Sequence, residues 1–151
     1  YTYGARTSFT GSIYPGYFVA SSSVSSNSTF ESVQIFVEEM NKYRDGIPPS
    51  DLEFTKNALI RSNARAFETL GALHRMLNNI ATYNLPFNYV KQRENFVRNY
   101  TPEQHKELAQ KYIEPNAMTY LIVGDAKTQL EPLKKLGIGN PVLLDREGNP
   151  L

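Results

Sequence analysis

The chain contains 151 residues with a formal net charge of +1, and 40% of them are hydrophobic. This composition is typical of one folded domain that needs neither a structural metal nor disulfides, and it excludes a disordered or fibrous chain. Cysteine is absent, which excludes a disulfide framework, a thiol nucleophile and a cysteine-ligated metal site. The near balance of 16 basic and 15 acidic residues offers no general attraction to nucleic acid or to an anionic membrane.

The N-terminal segment is predicted to form two strands separated by a turn at Pro15-Gly16. One face of the first strand is predicted to carry Tyr1, Tyr3, Ala5, Thr7 and Phe9, and the other Thr2, Gly4, Arg6 and Ser8. The second strand covers residues 17–24 and is predicted to place Phe18, Ala20, Ser22 and Val24 on one side. Because the first strand already begins at Tyr1, we expect the chain to be a C-terminal fragment of a larger protein, truncated at its N-terminal side.

The middle of the chain is predicted to form consecutive helices. Apolar spacing predicts helices over about 29–44, from Ser50 to about 83, over 89–98 and from Thr101 to about 112, with a bend or break at Gly71. Capping signatures occur at Ser28, Ser50 and Thr101. A returning strand over 118–123 and a short helix over 130–136 complete the pattern, which favours a single α+β domain over 1–151. The fold class is therefore a mostly antiparallel sheet packed against several consecutive helices.

The sequence lacks the common catalytic and phosphate-binding motifs. Its two histidines, His74 and His105, lie on different predicted helices, and neither begins a metal-binding pattern such as H-E-x-x-H or H-x-x-E-H. We therefore predict no metal site in this chain. A nucleophile elbow and a phosphate-binding loop are also missing, and the basic residues between Arg61 and Arg98 are interleaved with acidic ones, as on a solvated helical face.

The first strand offers the remaining candidate site. Tyr3 has two interpretations: an aromatic residue at the edge of the core, or a rigidly mounted hydrogen-bond donor for a carbonyl or oxyanion. Tyr1 is predicted on the same face, and Gly4 would allow another backbone to approach closely.

Several segments together resemble a known family. They are Tyr1-Thr2-Tyr3-Gly4-Ala5-Arg6, Phe9, Gly11, Pro15-Gly16, Phe18-Val19, Tyr112-Ile113-Glu114-Pro115 and Tyr120-Leu121-Ile122-Val123-Gly124-Asp125. Across nearly the whole chain they are similar to the second, non-metal-binding domain of the insulinase/pitrilysin zinc metallopeptidases, in the bacterial branch related to mitochondrial processing peptidase.

The resemblance implies a role in peptide hydrolysis. In that family two similar α+β domains enclose a chamber, and the domain with H-x-x-E-H holds the zinc. The second domain supplies an arginine–tyrosine pair that helps to bind the substrate carbonyl and stabilise its oxyanion. Tyr3 matches the tyrosine, whereas the arginine belongs upstream of Tyr1, and Arg6 does not replace it because period two puts it on the opposite face from Tyr3.

The resemblance also implies what the chain needs from elsewhere. Zinc and a metal-bearing domain or subunit would be supplied by a partner, the substrate would be an extended peptide contacted also by Tyr1 and Gly4, and the chain alone would be inactive. A non-catalytic assembly subunit of the same fold is the alternative, and a plain peptide-binding module is a third possibility. We expect no nucleic-acid partner, no membrane span and some self-association of the fragment, and the lack of cysteine is compatible with a bacterial periplasm or cell envelope.

Overall fold

A computed structural model describes residues 2–65 and 67–151, excluding the side chains of Tyr3, Ala64 and Arg65. These residues form a two-stranded antiparallel sheet and six α-helices, so the α+β class is confirmed at this level. The strands are β1 (Thr2–Phe9) and β2 (Phe18–Val24), and the helices are α1 (Thr29–Asp45), α2 (Pro49–Arg65), α3 (Leu70–Tyr83), α4 (Tyr89–Asn99), α5 (Pro102–Tyr112) and α6 (Ala126–Lys134). None of the helices in the described residues is long and apolar enough to cross a membrane.

The chain forms two compact units. Unit 1 combines residues 1–10, 17–42 and 113–151, and unit 2 combines residues 11–16 and 43–112. Helix α1 therefore contributes its residues up to Lys42 to unit 1 and its last turn to unit 2. The single α+β domain expected over 1–151 stays a prediction.

Unit 1 contains the sheet. The side chains of β2 alternate between half-buried and exposed, and the half-buried positions are the predicted Phe18, Ala20, Ser22 and Val24. At the end of the hairpin the rings of Phe9 and Phe18 pack with centroids 4.9 Å apart. The buried apolar residues described in this unit are Met40, Ile113, Pro115 and Leu133.

Unit 2 is helical. Helix α2 packs against α4, and Lys56 of α2 reaches the end of α4 by donating from Nζ to the main-chain oxygen of Tyr100 at 3.2 Å. Its buried residues are Leu52 of α2 with His105 and Ala109 of α5. Helices α2 and α3 are separate, as the break near Gly71 predicted, although α3 already begins at Leu70 behind the N-cap Thr69.

Only one of the three predicted capping boxes forms. Thr101 Oγ1 accepts from the amide of Gln104 at 3.3 Å, and Gln104 Oε1 accepts from the amide of Thr101 at 3.0 Å. The Ser28 signature is replaced by a 3₁₀ turn over Ser26–Ser28, and the Ser50 hydroxyl donates to the Asp51 carboxylate instead. Both serines already lie within helical turns, where their hydroxyls are not placed to cap.

The predicted strand over 118–123 is wrong. The segment has no regular secondary structure, although its exposure alternates along the chain as in an extended strand. Within the described residues, none of the main-chain groups from Thr119 to Val123 takes part in a backbone hydrogen bond. A strand needs a neighbour for its amide and carbonyl groups, and apolar β-branched composition alone does not supply one.

Candidate functional site: the bulge at the start of β1

The structure places the candidate residues at the beginning of β1. The main chain of Tyr3 and Gly4 belongs to this strand, whereas Tyr1 and the Tyr3 side chain lie outside what the structure describes. The predicted roles of both tyrosines therefore stay predictions.

The pairing of β1 with β2 is interrupted next to Tyr3. Thr2 pairs with Val24 and Ala5 pairs with Ser22, so three steps along β1 match two along β2. One extra residue is thus inserted into β1, which is the definition of a β-bulge. Bulges bend a strand locally and redirect side chains, and they are common next to functional sites.

Gly4 makes this bulge possible. Its φ is +110°, a conformation that residues with a β-carbon rarely adopt. Within the described part of the chain, a β-carbon at this position would meet no atom within 4 Å. The expected close approach of another backbone stays a prediction, and the glycine is required by its backbone angle.

Two hydroxyl groups hold the bulge in place. Thr2 Oγ1 and Ser22 Oγ lie 2.7 Å apart, so one donates to the other. Thr2 Oγ1 also accepts from the amide of Gly4 at 3.1 Å and lies within donating distance of the Ser23 carbonyl at 2.9 Å. Ser22 Oγ can donate to the Gly4 carbonyl at 3.1 Å. The main chain next to Tyr3 is therefore tied to β2 through side chains where the regular ladder fails.

The bulge changes which residues share a face of the sheet. Residues directly opposite each other in a pair point to the same face, and Thr2 and Ala5 pair with Val24 and Ser22, which share one face of β2. The prediction that Thr2 and Ala5 lie on opposite faces of the sheet is therefore wrong. The strict alternation of faces along the strand does not continue through an extra residue. The placement of Arg6 opposite Tyr3 rested on the same alternation and stays a prediction.

This strand is open to solvent. All side chains of β1 that the structure describes are exposed, on both faces of the sheet. Arg6, which pairs with Ser21, and Thr7, which pairs with Ala20, are examples from opposite faces. The start of β1 can thus be reached by a ligand or by another chain.

A second segment of the resemblance, around Ile113 to Tyr120, forms a structural corner in unit 1. Ile113 and Pro115 are buried, and the Tyr120 hydroxyl donates to the Pro115 carbonyl at 3.0 Å. Burial raises the pKa of Tyr120, so the phenol stays protonated and keeps this bond at neutral pH. Tyr120 therefore serves the fold of this corner.

The histidines do not form a metal centre. His74 is exposed on α3, and His105 is buried on α5. Among the residues described, no group of three or more His, Asp or Glu side chains is close enough to hold a metal ion. The expectation that zinc is bound elsewhere stays a prediction.

Sequence reasoning singled out Tyr3 and Gly4 and missed Thr2 and Ser22. The sequence pattern places Ser22 on one side of the second strand, but it contains no signal that this serine bonds to a threonine across the sheet. A glycine inside an alternating strand was the available sign of a bulge.

Comparisons with protein-family models, curated proteins and solved structures return no match for this chain.

Proposed function

We propose that this chain is the substrate-binding, chamber-forming second half of a zinc metalloendopeptidase. The proposal starts from the family resemblance of the sequence. The observation that carries it is the bulge at Gly4, which lies next to Tyr3 on a strand that is exposed along its described length. A tyrosine that must reach a substrate needs such an accessible and well-fixed mounting.

In this role Tyr3 donates its phenolic hydrogen to the carbonyl of the scissile peptide and to the oxyanion that develops there. The hydroxyls of Thr2 and Ser22 limit the motion of the main chain beside it. A donor held in advance loses little entropy when charge develops, and removing one such donor costs roughly 2.7–4 kcal/mol of transition-state stabilisation. The partner arginine would lie upstream of Tyr1, and Tyr1 and Gly4 would contact the extended substrate.

The metal belongs to the other half of the proposed enzyme. The described residues of this chain do not fit a zinc site, since His74 and His105 lie on separate helices without a third ligand beside either. A partner domain or subunit with H-x-x-E-H would bind the zinc. This chain would contribute substrate binding, substrate orientation and stabilisation of the oxyanion.

The test is a kinetic comparison in the peptidase assembled with its metal-bearing half. We expect Tyr3→Phe to lower kcat by about a hundredfold or more with a smaller change in KM, because the lost bond is strongest in the transition state. Tyr14→Phe is the matched control: Tyr14 is 73% exposed in the hairpin loop, and its variant should keep full activity. An unchanged kcat with only a raised KM contradicts the oxyanion role.

A second control uses this chain without its partner. Purified protein with added zinc should not hydrolyse peptides, whereas addition of the metal-bearing half should restore hydrolysis. Zinc-dependent activity of the chain alone would contradict the division of labour proposed here.

A non-catalytic assembly subunit is the second candidate, and large exposed apolar side chains favour it. Leu121 is 78% exposed and Val123 is 94% exposed in one extended segment, and neighbouring exposed apolar side chains are typical of a surface that meets another protein. The two functions differ in the kinetic test. If the chain only assembles, Tyr3→Phe and Tyr14→Phe will leave the activity of the complex equally unchanged.

A further inference from the structure

His105 is a buried histidine without a hydrogen-bond partner. It lies in the first turns of α5 and is only 6% exposed. In the described part of the chain, neither Nδ1 nor Nε2 has a partner. Buried polar atoms are nearly always paired, so an imidazole with two unpaired nitrogens is unusual.

The surroundings of His105 are aromatic. The ring of Tyr43, in the last turn of α1, lies edge-on to the imidazole with centroids 4.7 Å apart. Tyr100, in the connection between α4 and α5, lies 6.4 Å away in a similar edge-on arrangement. These contacts hold the start of α5 between the end of α1 and the end of α4.

Several titratable and charged groups surround this cluster. Burial raises the pKa of Tyr43 and of Tyr100, so both phenols are neutral at physiological pH. From α2, Lys56 donates to the Tyr100 carbonyl and to Glu53, and Glu107 of α5 acts on the Tyr100 phenol by raising its pKa. The His105 imidazole itself makes no ion pair or hydrogen bond with any of these groups.

We propose that His105 is an acid-sensitive latch, whose neutral imidazole holds α5 against Tyr43 and Tyr100 and whose protonation releases that contact. An added proton would place a charge on a buried imidazole whose nitrogens have no hydrogen-bond partner among the described residues. The released form would expose the imidazole to water and loosen the start of α5 and the end of α1.

The direction of the pH dependence follows from burial. Desolvation lowers the pKa of His105 in the folded protein below the value of about 6.5 for an exposed histidine. The unfolded or released state therefore binds the proton first. The stabilisation is fully present above about pH 6.5 and is lost as the pH falls from there towards the lower folded-state pKa.

The test combines a histidine titration with hydrogen exchange. In the NMR spectrum, we expect the His105 ring to titrate below about 6.5. Amide hydrogen exchange, corrected for intrinsic rates, gives the opening equilibrium constant of each helix. Between pH 7.5 and pH 5, this constant should increase more for α5 and the last turn of α1 than for α3. Because one proton is bound on opening, the opening equilibrium constant can increase by at most about tenfold per pH unit. Titration at or above 6.5, or equal changes in all helices, would overturn the proposal.

Variants separate the imidazole from general acid effects. His105→Gln keeps a polar side chain that does not titrate, and His105→Leu fills the site with an apolar one, so either folded variant should lose the extra opening of α5 at low pH. His74→Gln is the control, because it removes the exposed histidine of α3 and should leave the pH response intact. If both His105 variants fail to fold, the titration of the wild-type ring decides, and a full pH response in either folded variant contradicts the latch.

Discussion

At Gly4 the main chain of β1 takes a φ of +110°, and this single angle determines how the neighbouring residues are presented. The extra residue of the bulge is absorbed here, and the hydroxyl of Thr2 accepts from the Gly4 amide in place of a ladder partner. The geometry next to Tyr3 thus depends on a residue without a side chain.

Replacing Gly4 isolates the contribution of this angle. Gly4→Ala should lower the free energy of unfolding by about 1–2 kcal/mol, because a β-carbon makes the left-handed side of the conformational map unfavourable. Steric overlap is not a factor, since nothing described lies within 4 Å of that position. Urea denaturation followed by circular dichroism measures the difference.

Gly124→Ala is the matched control for this substitution. Gly124 is also free of neighbours within 4 Å, but it does not have a positive φ. Its variant should be neutral or slightly stabilised. Equal effects of the two substitutions would show that the bulge angle is not strained by a β-carbon.

The strand around Gly4 could be predicted from the sequence, but the bulge could not. Alternation of aromatic and polar residues defined a strand, and the glycine was recognised as a special position. An inserted residue leaves the composition of both strands unchanged and shifts only their pairing, which depends on the partner strand and not on local pattern. The prediction that Thr2 and Ala5 lie on opposite faces of the sheet was wrong for this reason.

Among the elements, α4 and α5 followed the sequence closely, whereas α6 begins four residues before its predicted start. Helix α4 begins at the predicted residue and ends within one residue of its prediction, and α5 begins behind Thr101 as its capping signature indicated. Their apolar spacing and end signals are local, so the sequence contains the information needed. The segment 118–123 did not form its predicted strand, because strand pairing requires a neighbouring strand that local sequence does not specify.

The capping box of α5 offers a test at this scale. Thr101→Ala should reduce the free energy of unfolding by about 0.5–2 kcal/mol, since the Gln104 amide loses its acceptor at the helix start. Ser50→Ala is the control, because the same signature occurs at Ser50 while its hydroxyl donates to the Asp51 carboxylate. Chemical denaturation should show less than about 0.5 kcal/mol for the control. A similar loss in both variants would contradict the capping role of Thr101.

At the scale of the whole molecule, the dominant feature is the number of large apolar side chains that face solvent. Leu121 and Val123, in the unpaired extended segment, are 78% and 94% exposed. An extended segment with free main-chain groups and apolar side chains is prone to pair with another chain.

We therefore expect this chain to self-associate when no partner is present. Sedimentation velocity should show a weight-average coefficient that rises with concentration, and Leu121→Asp combined with Val123→Asp should reduce the rise. Phe54→Asp is the comparison, because Phe54 is 77% exposed on α2, outside the extended segment. Concentration-independent sedimentation of the unmodified protein would contradict the prediction, and an equal effect of Phe54→Asp would assign association to general surface hydrophobicity.

The division of the chain into its two units has a consequence for kinetics. Apart from residues 11–16, unit 2 is one continuous stretch of helices, whereas unit 1 joins segments from both ends of the chain. The bond from Gln129 Nε2 to the Ser26 carbonyl, for example, closes a separation of 103 positions. Helical contacts between near neighbours form quickly, and long loops must close before distant contacts contribute. Refolding should accordingly proceed in order, with the helices of unit 2 in an early phase and the return of the C-terminal segment as the slow step.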